Sequence, residues 1–434
     1  MKTVSQISEM RVKNSMRARF NPIKTLTPDS LSQTLDAFSS GYLKAAALTW
    51  DAIERRDDVI QGVASKRKKS IARLRWEILS MDDSPMAKSQ KLALEYFYNN
   101  LSATNACNGN ESGGISLLVR QMMDAIGKRY AVHEIIFEPH EFFENDGKFE
   151  AEEFSQLPKP THSAPSILLT ATFRFVPLWF FENRDGQLKF LANEGATSGI
   201  PLEPGAWLVT AGDGLMEACS IAYLFKHLPL RDWLVYCERN GMPGVKGVTN
   251  AVPNTDQWEA ARNAVEDFGA EFSALMSEGT NIEAIDLSTR GELPYPQLVD
   301  RMDRAISALW RGSDLATLSR QSGAGASLQA DEEEILEQDD AAMISETLNM
   351  QVDRFVIGHL FGNVPTKAYI KFIPNVKRNV ADELNLYREL YRMGVPISMN
   401  DIRERFNLAT PNDGELVLNF VENRESFTEP SEEK

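Results

Sequence analysis

Five histidines, several acidic clusters and one glycine-rich stretch are the places where this chain could do chemistry. His133, His140, His162, His227 and His359 form no HExxH pair, no His/Cys zinc spacing and no set of triad partners. His133 stands beside Glu134 in an alternating segment, which reads as a structural pair before it reads as a catalyst. His162 has no partner near it in sequence. Asp339-Asp340 could in principle hold Mg²⁺ for a nuclease. Adjacent residues on a helix point about 100° apart, however, which makes a poor clamp. No GxSxG elbow and no GxGxxG after a strand occurs. The residues therefore point away from an enzyme, with no catalytic group, metal ligand or cofactor implied.

The glycine-rich stretch, GSDLATLSRQSGAGASLQ (312–329), lies between two helical patterns. Before it, Leu298, Met302, Ala305, Ile306 and Leu309 recur at three and four, with Gly312 just past the end. After it the same spacing runs from Ile335 through Leu360, and Asp331, Glu332, Glu333 and Glu334 are expected to form the first turn. Acidic groups there would complement the helix dipole and repel phosphate. A phosphate cradle needs a lysine and bare backbone N–H groups, whereas the only basic residue here is Arg320. Two readings stay open: a surface loop between packed helices, or a loop exposed on purpose that brushes a polymer without gripping it.

Composition sets the frame for these elements. The chain has 434 residues, 43% hydrophobic and 25% charged, as in globular proteins with real cores and room for two or three domains. No run approaches the roughly 20 apolar residues that span a bilayer, and MKTVSQISEMRVKN lacks a signal-peptide core. Cys107, Cys219 and Cys237 form no CxxC pair, so a reduced, cytosolic setting is expected. The net charge of −16 argues against a protein that clamps DNA by neutralising phosphates. Any contact with nucleic acid must be loose.

Along the chain, residues 1–29 read as a mildly basic arm. Helices follow to Trp76–Leu79, a short strand, and then a helix over Met86–Leu101. The cluster Lys66, Arg67, Lys68, Lys69, Arg73 and Arg75 reads either as a nucleic-acid patch or as a solvated helix face paired with acidic neighbours. A helix at Ile115–Gly127 and strands at Tyr130–Phe137, Phe173–Phe181, Gln187–Leu191 and Trp207–Thr210 complete an α/β region. From Leu215 the pattern is helical, with a kink or break expected at Pro229. GMPGVKGVTNAVPN is punctuation before a helix through Trp258 and Phe272; NIEAIDL is a strand. YIKFIP, a helix ending at Gly394, a helix with Ser398 as N-cap and an acidic tail finish the chain.

The order of these segments resembles the portal proteins of tailed bacteriophages, most closely the Mu-type branch, from about Ser40 to Leu418. The pieces that carry the likeness are RDDVIQGVASKRKKSIARLRWEI, RYAVHEIIF, PLWFFENRDGQLKFL with GIPLEPGAWLV, and LRDWLVYCERNGMPGVKGV followed by the Trp258 helix and NIEAIDL. The Gly/Ser loop, the acidic helix and YRELYRMGVPISMNDIRERFNL extend it. The resemblance implies an α+β fold of portal architecture. Its parts would be an α/β wing (30–213), helical stem (214–240 and 295–311), small α/β clip (241–294), tunnel loop (312–330), long wing helix (331–362), short helical crown region (363–420) and acidic tail (421–434).

It further implies a dodecameric homo-oligomeric ring at one capsid vertex, in the virion and, during assembly, in the host cytoplasm. Double-stranded DNA would pass through it without sequence preference, and no membrane is involved. Terminase and head-completion or tail adaptor proteins would dock on the clip, with the major capsid protein and scaffold around the wing. Laid onto this chain, the tunnel-loop residues are Ser319, Arg320, Gln321, Ser322, Gly323 and Gly325. The clip residues are Asn250, Asn254, Gln257, Trp258, Glu259 and Arg262, and the stem residues Arg231, Trp233, Arg301 and Arg304. One arginine per loop, repeated around a ring, would touch DNA weakly, as a sliding polymer requires. The other reading is a minor capsid or head-completion adaptor with no conducting channel.

Overall fold

The computed structural model describes residues 26–141, 167–192, 198–241, 245–271, 280–284, 294–312, 323–374 and 380–396, together with 398, 402, 403 and 406. The chain divides into two compact units, Met1–Asn375 and Val376–Lys434. Both helices and sheets build the first unit, and the fold is α+β.

Three helices open it: α1 (Pro28–Ser39), α2 (Leu43–Arg56) and α3 (Asp58–Ala72). Asp57 ends α2 and starts α3, its carboxylate accepting the Ile60 N–H at 2.9 Å. Such a cap satisfies one of the donors that a helix start leaves open. Strand β1 (Arg75–Ser80) and α4 (Pro85–Asn100) follow. The main sheet then assembles from β2 (Ser102–Asn105), β3 (Ser112–Gly113), β4 (Tyr130–Glu141), β5 (Ile167–Val176) and β9 (Trp207–Ala211), with α5 (Ile115–Met122) and α6 (Asp124–Lys128) between β3 and β4. Its order is β3-β2-β5-β4-β9, antiparallel apart from the parallel pair β2–β5. Three two-residue strands, β6 (Phe181–Glu182), β7 (Lys189–Phe190) and β8 (Ile200–Pro201), form a small sheet beside it. Phe97, Phe137 and Phe173 meet between α4 and the main sheet, their ring centroids 6.2 and 6.3 Å from Phe97.

Helices dominate the second half. They are α7 (Met216–Gly241), α8 (Asp256–Glu271), α9 (Tyr295–Arg311), α10 (Gly323–Leu348) and α11 (Arg354–Phe361). Strands β10 (Val245–Thr249) and β11 (Thr280–Ala284) pair antiparallel around α8. Finally β12 (Ala368–Ile373) pairs antiparallel with β1, some 290 residues earlier, with Arg75 opposite Ile373. That places YIKFI in the first unit, and not with the C-terminal segment with which its sequence position groups it. In the second unit α12 (Val380–Arg392) ends at Gly394 as expected, and Tyr387 meets Phe406 at 5.8 Å.

Three expectations need correction. Of the kink or break expected at Pro229, the break does not occur: α7 runs through it. The carbonyl that loses its partner belongs to Phe225, whose side chain is half exposed, so water can replace the missing N–H. Second, α10 begins at Gly323, eight residues before Asp331, so the acidic run sits in the third turn, where the dipole no longer explains it. Third, His133 and Glu134 are not a pair. Neighbours on a strand point to opposite faces; Glu134 pairs with Arg174 at 3.5 Å, while the buried His133 ring stacks near Phe175 with neither nitrogen bonded. Burial lowers His133 to about 3 and keeps it neutral.

Between α10 and α11 one π-helical turn, Asn349–Asp353, ties both sheets together. A π turn adds a residue and re-aims the side chains that follow. Gln351 both accepts the Val209 N–H (2.8 Å) and donates to the Val209 carbonyl (2.7 Å), closing the open edge of the main sheet. Asp353, fully buried, accepts the Tyr98 hydroxyl at 2.5 Å and the Ile370 N–H of β12 at 2.9 Å. Burial outweighs both bonds and pushes its carboxyl up to about 7. A carboxyl whose folded value lies above its unfolded one takes up a proton on folding, so stability falls as pH rises between the two. Urea denaturation should therefore show stability declining from about pH 4 to about pH 7, by up to about 4 kcal/mol at 1.36 kcal/mol per unit. Asp353→Asn should flatten that decline.

Candidate functional site: a helix pair on a buried ionic root

The most distinctive construction in the described residues is the pair α7–α9 and the way its base is held. Lys226 of α7 meets Asp303 of α9, Nζ to Oδ1, at 2.6 Å. One step nearer the base, Cys219 lies beside Trp310. Seven residues separate the partners on each helix, counted in opposite directions, so the helices are antiparallel. Trp310 is fully buried, and it packs so closely on α6 that a Cβ on Gly127 would lie 3.1 Å from its ring. Burial pushes the Cys219 thiol up to about 12, so it remains a thiol and no nucleophile.

The base is stitched to α3 by charge. Lys226 also reaches Asp57 (3.0 Å) and Asp58 (3.2 Å). Burial alone would raise Asp57, yet His227, the Ile60 N–H and Lys226 together bring it down to about 2. Burial would lower Lys226; Asp303 and Asp57 overcome this and hold it well above the usual lysine range. Farther along α3, Arg67 grips Asp340 of α10 with two bonds of 2.7 and 2.9 Å and donates to the Trp310 carbonyl at 3.2 Å. Next to it, Lys68 pairs with Glu54 (2.5 Å) and Asp124 (2.7 Å), and Lys128 pairs with Asp124 at 2.9 Å. Arg311 at the end of α9 pairs with Glu333 of α10.

Two of the six basic residues depart from both readings of the cluster, whereas Lys66, Lys69, Arg73 and Arg75 are exposed, Lys66 3.9 Å from Glu333 and Arg75 2.8 Å from Glu77, as a solvated face with acidic neighbours requires. Arg67 and Lys68 are neither a nucleic-acid patch nor a solvated face; their side chains are only 9% and 12% exposed. They connect helices far apart in sequence. Asp340 is likewise no exposed carboxylate, being 3% exposed and committed to Arg67. Local sequence carries no signal of this, because every partner is more than ten residues away.

Toward its other end the pair emerges from the core. Leu234 and Val235 on α7 are exposed, as is Leu298 on α9. Of the expected stem residues, Arg231 (3.3 Å from Asp232), Arg301 and Arg304 (2.9 Å from Asp300) are exposed, and Trp233 is half-buried. The six expected clip residues fall on one short segment, the turn after β10 and the start of α8. Asn250, Asn254, Gln257, Glu259 and Arg262 are exposed there and Trp258 is half-buried, its N–H capped by the Thr255 hydroxyl at 3.3 Å. Gly323 and Gly325 lie in the first turn of α10, while Ser319, Arg320, Gln321 and Ser322 lie outside the described residues. No described helix is long and apolar enough to cross a membrane.

Removing one partner of a buried ion pair strands the others without compensation. Lys226→Met should cost about 3 kcal/mol in chemical denaturation, the low end for such a group because Asp58 is open to solvent. Adding Asp57→Asn and Asp303→Asn should recover most of it, since Asn still caps α3.

Comparison with known proteins places this geometry. The family model of the portal protein of Mu bacteriophage matches residues 47–408. The portal protein of Escherichia phage Mu is 22% identical over 320 residues, which cover 71% of this chain and 56% of that protein. The alignment thus spans little more than half the length of that relative. Among solved structures, a chain from the virion of a native gene transfer agent particle superposes with a TM-score of 0.51 at 10% identity, covering 87% of this chain and 94% of the other. One from the neck of a native gene transfer agent particle, computed with C12 symmetry, gives a TM-score of 0.50 at 12% identity with the same coverage. At these identities the two structures bear on the fold alone.

Proposed function

Because this chain belongs to the family of Mu bacteriophage portal proteins, we propose that copies of it close into a ring at one capsid vertex. Double-stranded DNA is packaged and ejected through the hole. The ring is a dodecamer, as the C12 symmetry of the gene transfer agent neck suggests. α7 and α9 are its stem, β10–α8–β11 its clip, and the main sheet with its helices the wing that meets the major capsid protein and scaffold. Terminase docks on the exposed clip residues during assembly in the host cytoplasm, and head-completion or tail proteins take its place in the virion. The ATPase belongs to the terminase; this chain is the passive conduit.

The observation that carries this reading is the stem itself. An antiparallel helix pair that is locked by ion pairs at its base and bears exposed leucines and valine beyond it suits packing against copies of itself. Charge supports it too. Each neutralised phosphate adds affinity through counterion release, so a conduit must offer few cations, and a net −16 chain does. Arg320 is the single cation of the stretch between α9 and the acidic run, and the ring repeats it as a thin girdle around the axis.

Purified protein should give rings in negative stain with a central hole wide enough for duplex DNA. A discrete monomer or open chain at micromolar concentration would defeat the proposal. Arg320→Ala should leave the rings intact and alter packaging or retention of DNA in particles; normal packaging would remove Arg320 from the mechanism.

A further inference from the structure

The described residues leave one face of each stem helix uncovered, and the two faces differ. On α7, Ala218, Ile221, Phe225, Leu228, Asp232 and Val235 step by three and four, opposite the buried side that carries Cys219, Tyr223 and Lys226. Ile221, Phe225 and Val235 are 42%, 50% and 41% exposed, an unusual run of large apolar side chains on an open surface. On α9, Leu298, Arg301, Ala305 and Ala308 step the same way, opposite buried Ile306 and Trp310. The first stripe is bulky and apolar; Asp232 in it is paired with Arg231 of its own helix, and Glu217 stands beside it. The second is smaller, with Arg301 exposed in it, while Arg304 beside it is paired with Asp300. Bulk faces small side chains, and Arg301 faces the end of the other stripe that carries Asp232.

We propose that the α7 stripe of one copy docks on the α9 stripe of the next. This rests on the ring reading and deepens it by naming the seam. A closed ring of identical copies needs two different, complementary surfaces on each copy, and these two are the complementary pair. Rotation about an axis that runs along the stem leaves heights unchanged, so the register within one copy also sets the register between copies. Lys226 stands level with Asp303 and Cys219 with Trp310. At the seam, Ile221 is therefore level with Ala308 and Leu228 with Arg301, and Phe225 stands within one residue of Ala305. Asp232 lies about one turn from Arg301 along the seam, within reach of that long side chain although Asp232 also meets Arg231 of its own helix. Alternating α7 and α9 helices then form a continuous wall, which seals the tube against leakage of ions and DNA between copies.

Disulfide trapping tests the register in the full chain with the exposed Cys237 replaced by serine. Phe225→Cys with Ala305→Cys, oxidised, should give a ladder of multimers on a non-reducing gel, up to the full ring. Ile221→Cys with Ala308→Cys, one turn away, should do the same. Phe225→Cys with Leu298→Cys is two turns out of register, beyond the roughly 7 Å Cα separation that a disulfide tolerates, and should not. The altered positions are exposed or half-exposed, and circular dichroism checks that each variant folds. Rings in negative stain without a ladder would overturn the seam and leave the ring reading standing. A covalent dimer from Phe225→Cys alone would overturn it in favour of a twofold contact. If the parent chain makes no rings, the ring reading falls, and the seam with it.

Discussion

Everything in the first unit hangs on the charges that α3 buries. It is a 15-residue helix with only Ile60, Val63, Ala64 and Ile71 in the core, too little apolar surface to fix the angles of its neighbours. Its ends and flanks do that instead: Asp57 with Lys226 of α7, Arg67 with Asp340 of α10 and the Trp310 carbonyl of α9, Lys68 with Asp124 of α6. Buried ion pairs add little net stability over apolar groups of the same size, but breaking one is costly. Apolar packing tolerates sliding by part of a turn. A guanidinium holding a carboxylate by two bonds of 2.7 and 2.9 Å does not.

That distinction decides how α7 and α9 can leave the core. α7 and α9 leave the core within a few residues of Lys226 and Asp303, so a small error in angle at the base grows along some 15 Å of exposed helix. Fixing the base by Lys226 with three carboxylates, and by Trp310 pressed on Gly127, limits that error where it is cheapest to limit. The π turn plays the same part on the other side of the core. Gln351 holds β9 and Asp353 holds β12, so α10 and α11 cannot shift against the sheets without losing hydrogen bonds to both.

Periodicity alone placed most of the helices and the β4 strand, because amphipathic spacing is a local property that survives into the fold. The antiparallel ladder of β1 with β12 was not legible: each strand could be seen, but nothing in 290 intervening residues names the partner. Arg67 and Lys68 of the basic cluster were hidden for the same reason, since Lys and Arg on a helix look alike whether they meet water or Asp340. At Pro229, propensity argued for a break, but the one hydrogen bond lost there, beside the half-exposed Phe225, does not end the helix. The start of α10 was set by glycine content, yet the helix already begins at Gly323. Of the expected sites, the clip residues were found together because they are neighbours in sequence.

The same bookkeeping of charge bears on the proposed path for DNA. Lys226, Lys68, Lys128, Arg67 and Arg311 are all spent inside, each against one or more carboxylates. The carboxylates paired with them are at least as many, so the negative balance of the chain remains outside and lowers affinity for a polyanion. Cations buried as structural pins cannot also trap a phosphate, so in the proposed conduit the rigidity of the α7–α9 base and a low affinity for DNA draw on the same residues. A chain that held its stem by apolar packing alone would have to tune the two separately. Here a substitution that frees a buried lysine loosens the base and adds a sticky charge at once, which ties the two properties to the same residues.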